Sequence, residues 1–154
     1  FLQGEKFTLT ERSYFLDATL GLPIDFGKSY ISSSFGQRKN PVSGEWKNHK
    51  GVDFASPEGT PVKAVKSGTV SVAVKNDATF GNYIILSHDA NRMTSVYAHM
   101  SKLNVSLNQK VSKGDVIGYV GQTGMATGPH LHFEIKVGGV AEDPEKVLPL
   151  NKKR

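Results

Sequence analysis

Between Tyr30 and Val137, apolar and polar residues alternate in short runs. Gly, Pro and Asn break these runs roughly every 8 to 12 residues, which is the pattern of an antiparallel β domain. The runs Val52–Ala55, Pro61–Ala64, Gly68–Val74, Tyr83–His88, Thr94–His99, Val116–Val120 and His130–Val137 are each predicted to be strands. The intervening Ser56-Pro57-Glu58-Gly59-Thr60, Lys113-Gly114-Asp115 and Gly121-Gln122-Thr123-Gly124 carry turn chemistry. Parallel pairing would need long, usually helical crossovers, and these gaps are too short and too rich in turn residues. The expected class is all-β, an antiparallel sheet or sandwich with few or no helices.

Residues 1–30 read differently. Phe7, Leu9, Tyr14, Phe15 and Leu20 are apolar but follow no sustained period, so this stretch is expected to be an N-terminal extension of strands and turns packed beside a main domain over 31–148. Residues 149–154 end in Lys152-Lys153-Arg154 and read as a basic, solvated tail. The start at Phe1, without Met, suggests a processed or trimmed chain. No apolar run is long enough to cross a membrane as a helix, and no secretory pattern opens the sequence.

Composition narrows the chemistry. A chain of 154 residues with 38% hydrophobic and 21% charged residues suits one folded domain rather than a disordered one. There is no cysteine, so a metal must be held by nitrogen and oxygen, and the search falls on His, Asp and Glu. The net charge of +5 is compatible with anionic partners such as an acidic wall polymer. Nucleic-acid binding rests on that charge alone, because the aromatic-basic motifs of common modules are missing.

Three segments concentrate candidate chemistry. In Pro129-His130-Leu131-His132-Phe133-Glu134-Ile135 the alternation puts His130, His132 and Glu134 on one face and Leu131, Phe133 and Ile135 on the other. The two imidazoles then lie roughly 6 to 7 Å apart at the backbone, close enough to share a site. Both can ligate a metal, or one can ligate while the other handles protons, and the spacing does not choose. In His49-Lys50-Gly51-Val52-Asp53 an extended chain aligns His49, Gly51 and Asp53, with Gly51 leaving space between the outer two. In Tyr97-Ala98-His99-Met100 the alternation puts His99 with Ser95 and Tyr97, opposite Val96, Ala98 and Met100. Such a set of His and Asp on strands is one that zinc accepts without thiolates.

These segments resemble the lysostaphin and LytM type of zinc metallopeptidase, marked by a His-x-x-x-Asp segment and a late His-x-His. The likeness runs from Ser33-Ser34-Phe35-Gly36-Gln37-Arg38 to Asp143-Pro144, and takes in Gly59-Thr60-Pro61-Val62 and Gln109-Lys110-Val111-Ser112-Lys113-Gly114-Asp115. It implies an antiparallel sheet with an open groove, Zn2+ held by His49, Asp53 and His132, and catalytic roles for His99 and His130. It further implies hydrolysis of peptide cross-links in peptidoglycan, in the periplasmic or extracellular envelope of a bacterium, with the D-alanine to diaminopimelate bond as the first expectation and a glycine bridge as the alternative. On this reading His130 serves as base beside ligand His132, and His99 hydrogen-bonds the water or the developing oxyanion; the two roles are interchangeable at this stage. His88 is expected to be structural, and Glu134 either orients an imidazole or sits at the rim. Tyr97 is expected to pack, and Trp46 and Asn48 to lie near the entrance.

The rival readings are weaker. A catalytically silent relative, serving as regulator or scaffold of wall enzymes, would typically lack one or more of the five residues, and all five are present. A lipoyl- or biotin-type carrier would need a modifiable Lys on a tight hairpin and would leave the histidines unexplained. A regulatory segment or protein partner is compatible with the enzyme reading, because residues 1–30 can pack beside the groove.

Overall fold

The computed structural model describes residues 20–25, 27, 29–39, 44, 46–88, 92–124 and 128–148. In chain order the strands are β1 (Tyr30–Ser33), β2 (Gly36–Lys39), β3 (Trp46–His49), β4 (Val52–Ala55), β5 (Pro61–Lys63), β6 (Gly68–Asp77) and β7 (Gly81–His88). There follow β8 (Met93–Leu103), β9 (Lys110–Val111), β10 (Val116–Val120), β11 (His130–Val137) and β12 (Val140–Glu142), and then one turn of helix, α1 (Pro144–Val147). All strand pairings are antiparallel.

All seven predicted strands form, three of them with the predicted bounds. Strands β1, β2, β3, β9 and β12 were not expected from the pattern. None exceeds four residues, and sequences such as GQRK and WKNH carry no alternation to read. Asp143 caps α1, its carboxylate accepting from Glu145 N–H at 3.0 Å, and Pro144 follows at a position where a missing N–H costs nothing.

The ten-stranded sheet runs β1-β4-β11-β8-β7-β6-β9, with β10 joining β8 to β5 and β12 added to β11; β2 and β3 form a second, two-stranded sheet. Register sorts the side chains into rows, because directly paired residues point to the same face. Val52, Phe133 and Tyr97 make one row across β4, β11 and β8, and Phe54 with Leu131 makes another; all five are buried in the core. The rows between them point the other way: Asp53, His132 and Ala98 in one, Tyr30, Ala55 and His130 in the next. The core row holds the sheet together and thereby fixes where the polar row points.

Leu20 and Ile24 join the same core, and the backbone near them is pinned by Gly21 N–H to Val65 C=O and Lys63 N–H to Pro23 C=O. Residues 1–19 and 149–154 lie outside the described residues, as do most of the 89–92 loop and the middle of the 124–128 segment.

Gly51 plays a different part from the one expected. His49 ends β3 in the small sheet and Asp53 sits in β4 of the large one, so the two are joined by a sheet-to-sheet link and not by one extended strand. A Cβ on Gly51 would collide with the Phe133 carbonyl oxygen and Glu134 Cγ. The glycine lets the link cross close over β11, and the space beside it is filled by that strand.

Candidate metal centre

The pairing of β4 with β11 sets Asp53 directly opposite His132, and Asp53 Oδ1 lies 2.8 Å from His132 Nδ1. His49 arrives from the small sheet with Nε2 3.6 Å from Asp53 Oδ2 and its ring 5.2 Å, centroid to centroid, from His132. One donor atom from each of the three lies within 4.8 Å of the others. Two donors of a tetrahedral zinc with bonds of about 2.0–2.1 Å stand roughly 3.3 Å apart. The separations of 2.8 and 3.6 Å bracket that value, so this thiolate-free His, Asp, His set fits zinc in spacing and in chemistry.

Each of the four clustered histidines has one ring nitrogen committed elsewhere. Nδ1–H of His49 donates to Ser34 C=O at 2.9 Å, that of His99 to Thr123 C=O at 2.7 Å, and that of His130 to Gly128 C=O at 3.0 Å. A carbonyl only accepts, so these nitrogens carry the hydrogen and Nε2 is left free in each ring. His132 is turned the other way round: its Nε2 lies 2.8 Å from Glu134 Oε2, which leaves Nδ1 for Asp53. Glu134 is buried and orients this imidazole.

His99 and His130 stand beside the three, with ring centroids 4.7 Å apart and His99 6.2 Å from His132. The place of His99 comes from a change of partner along β8. Met93–Ala98 pair with β11, whereas Met100–Leu103 pair with β10, and His99 lies at the fork with φ +66°. A left-handed backbone costs a non-glycine residue about 1–2 kcal/mol. Here it is held by His99 N–H to Phe80 C=O at 2.9 Å and Gly121 N–H to His99 C=O at 3.1 Å. The irregularity overturns the simple alternation: Tyr97 and Met100, expected on opposite faces, are both in the core.

Electrostatics follow from the same contacts. Burial works against the charged ring of His132, but the hydrogen bonds and charges of Asp53 and Glu134 outweigh it and raise the pKa to about 9 in the metal-free protein. Burial likewise opposes the Asp53 carboxylate, yet hydrogen bonds and charges from His132 and His49 hold its pKa well below the usual carboxylate range. His99 moves down: burial lowers its pKa, the bond to Thr123 partly offsets this, and the neighbouring His130 and His132 lower it further. A neutral His99 presents a lone pair at Nε2.

Phe80, which the strand pattern did not single out, closes one side of the cluster. Its ring stacks on His132 at 5.8 Å and 19° and meets His99 edge-on at 6.3 Å. Its only sequence signal is an aromatic in the turn just before β7. Tyr97 packs in the core, where its hydroxyl accepts from Val65 N–H at 3.1 Å and lies 2.9 Å from Ser95 Oγ. His88 belongs to the same buried chain, with Nδ1 donating to Ser67 C=O and Nε2 2.8 Å from Ser95 Oγ. Asn48 is exposed, and the Trp46 side chain lies outside the described residues. A depression of about 320 Å³ opens beside the cluster, lined by Tyr30, Ser32, Asp53, Ala55, Gly128, Pro129 and His130.

Peptidase family M23 matches residues 47–144. The peptidoglycan DD-endopeptidase ShyA of Vibrio cholerae is 46% identical over 118 residues, covering 76% of this chain and 27% of that protein. A zinc-containing peptidase from Vibrio cholerae superposes with a TM-score of 0.76 at 37% identity, covering 83% of this chain and 40% of that one. The catalytic domain of lysostaphin from Staphylococcus simulans superposes with a TM-score of 0.67 at 35% identity, covering 76% and 90% of the two chains. The matched region amounts to between 24% and 35% of the length of the curated relatives.

Proposed function

This chain belongs to peptidase family M23, and from that premise we propose that it is the catalytic domain of a zinc-dependent endopeptidase that cuts the peptide cross-links of peptidoglycan in the bacterial envelope. The observation that carries the reading is the single cluster in which His49, Asp53 and His132 offer donor atoms within 4.8 Å of one another while His99 and His130 stand beside them. The similarity to a DD-endopeptidase supports the D-alanine to diaminopimelate bond as the target.

His49 Nε2, an Asp53 carboxylate oxygen and His132 Nδ1 are the atoms that would hold zinc, a set of three protein ligands that suits a hydrolytic site. Zinc bound there supplies Lewis-acid polarisation of the scissile carbonyl and lowers the pKa of a bound water toward about 7. The remaining steps belong to the histidines. With Nδ1–H tied to Gly128 C=O, His130 has Nε2 free to take the proton of the attacking water and return it to the leaving amine. His99, kept neutral by burial, accepts a hydrogen bond at Nε2 and so orients the water; it donates to an oxyanion only after gaining a second proton. Phe80, stacked on His132 and edge-on to His99, covers one flank of these two rings. The depression along Tyr30, Ala55 and His130 gives the peptide a path past the cluster.

Digestion of defined cross-linked wall peptides, with identification of the new amino terminus, tests the reading. His130→Ala is expected to lower kcat by about 10² or more while zinc remains bound. His132→Ala is expected to lose metal and activity together. Full hydrolysis by either variant overturns the assignment.

A further inference from the structure

Thr123 belongs to none of the motifs that mark the metal centre, yet three elements meet on it. Its carbonyl accepts the Nδ1–H of His99 at 2.7 Å. Its hydroxyl donates to Met100 C=O at 2.7 Å and accepts from Asn82 N–H at 3.0 Å. Met100 follows His99 directly, so the hydroxyl grips the strand one residue beyond the imidazole that the carbonyl holds. Asn82 completes the grip, its side chain donating to Met100 C=O at 3.0 Å and Ser101 C=O at 3.3 Å and accepting from Asn76 N–H at 2.9 Å. The fit leaves no slack: Gly81 has φ +65°, and a Cβ there would collide with Thr123 Oγ1 and its carbonyl.

We propose that Thr123, through its hydroxyl, is a positioning residue for His99: it locks the 121–124 segment against the fork in β8, so that the Thr123 carbonyl selects the Nδ1–H tautomer and leaves Nε2 free beside the metal ligands. The inference deepens the functional reading above and rests on it for the catalytic consequence alone. A single bond from a flexible loop would not fix the ring. The hydroxyl converts that loop into an extension of the sheet, because its two partners lie on β8 itself, one residue past the fork, and on its neighbour β7. The neutral imidazole in water favours hydrogen on Nε2, so holding it on Nδ1 requires an acceptor that does not drift. The left-handed backbone at His99 makes the same demand, since a fork without regular pairing on both sides needs other bonds to hold it.

The test compares Thr123→Ala, which removes the hydroxyl, with Thr123→Ser, which keeps it; Thr123→Val carries the same readouts if the alanine variant does not fold. Long-range 1H–15N NMR of the zinc-free protein reads the His99 tautomer independently of activity. Wild type and Thr123→Ser are expected to show hydrogen on Nδ1, whereas Thr123→Ala shifts the population toward Nε2. With zinc loaded to wild-type stoichiometry, Thr123→Ala is expected to lower kcat by about 10- to 100-fold with KM within about twofold, and Thr123→Ser to restore most of it. An unchanged tautomer and kcat in Thr123→Ala overturns the proposal, as does a Thr123→Ser variant impaired equally. A wild-type protein that hydrolyses no wall peptide defeats the functional reading, while the tautomer comparison still decides the role of the hydroxyl.

Discussion

Glu134 Oε2 lies 2.8 Å from His132 Nε2, two residues away on the same face of β11. The contact fixes which nitrogen of His132 turns toward Asp53, and the buried carboxylate makes that nitrogen a stronger donor to a metal. Glu134→Ala is therefore expected to weaken zinc binding by about 10- to 100-fold, measured by competition with a chromogenic chelator. Glu134→Gln, which still accepts a hydrogen bond but carries no charge, should fall between the two. Wild-type affinity in both variants would show that Glu134 is only a strand-pairing residue.

Metal binding should release a proton. In the metal-free protein the His132 pKa is raised from 6.5 to about 9, so at pH 7.5 the Nδ1 that faces Asp53 carries a hydrogen that zinc must displace. Calorimetric titration in buffers of different ionisation enthalpy is expected to show release of at least about one proton at pH 7.5, with the share from His132 diminishing above pH 9.

The same shifts set the stability of the metal-free protein. His132 binds its proton more tightly folded than unfolded, so its contribution is complete below 6.5 and is lost as pH rises through about 9. Asp53 has the opposite sign: its contribution is present above the ordinary carboxylate value and is lost as pH falls through its depressed folded pKa. The melting temperature of the chelator-treated protein should accordingly decline between pH 6.5 and 9, where the zinc-loaded protein declines less. A metal-free melting temperature that rises over this interval would contradict the His132 environment described here.

Gly51→Ala tests the crossing between the two sheets. The added methyl meets a backbone carbonyl, which cannot move without disturbing the β4–β11 pairing that aligns Asp53 with His132. Destabilisation of about 3 kcal/mol is expected, read by denaturant unfolding, together with weaker zinc retention. An alanine variant with wild-type stability and metal content would mean the link has room that the structure does not show.

Tyr97→Phe separates core from site. The lost hydroxyl leaves Val65 N–H without its buried acceptor, while Ser95 Oγ keeps His88 Nε2, for an expected cost of about 1–3 kcal/mol. Zinc stoichiometry and kcat should stay near wild type below the melting transition, because among the described residues the Tyr97 hydroxyl meets Val65 and Ser95 and its ring packs on Phe133. A selective loss of activity at full stability would place Tyr97 in the chemistry.

Much of the fold was legible because strands such as β11 put apolar side chains on one face and polar ones on the other. Alternation along His130–Val137 separates Leu131, Phe133 and Ile135 from His130, His132 and Glu134, and burial of the first set determines the direction of the second. The short strands β2 and β3 gave no such signal. A run of four mostly polar residues becomes a strand only because a partner supplies its backbone hydrogen bonds, and that partner is chosen by the fold. His99 shows the limit of periodicity most clearly. Period two predicts its face only while a strand keeps one set of partners, and at this residue β8 exchanges β11 for β10.

The sequence by itself determined that the donors are nitrogen and oxygen, that His130, His132 and Glu134 share a face, and that the His49 to Asp53 spacing lets both reach one point. Those are local consequences of composition and backbone period. The tertiary structure alone decided that β3 and β4 belong to different sheets joined over Gly51, that Phe80 and Thr123 border the cluster, and which nitrogen of His49, His99, His130 and His132 turns toward the cluster. Ring orientation is set by acceptors far away in sequence, such as Ser34 for His49 and Thr123 for His99, and only folding brings those acceptors within hydrogen-bonding distance.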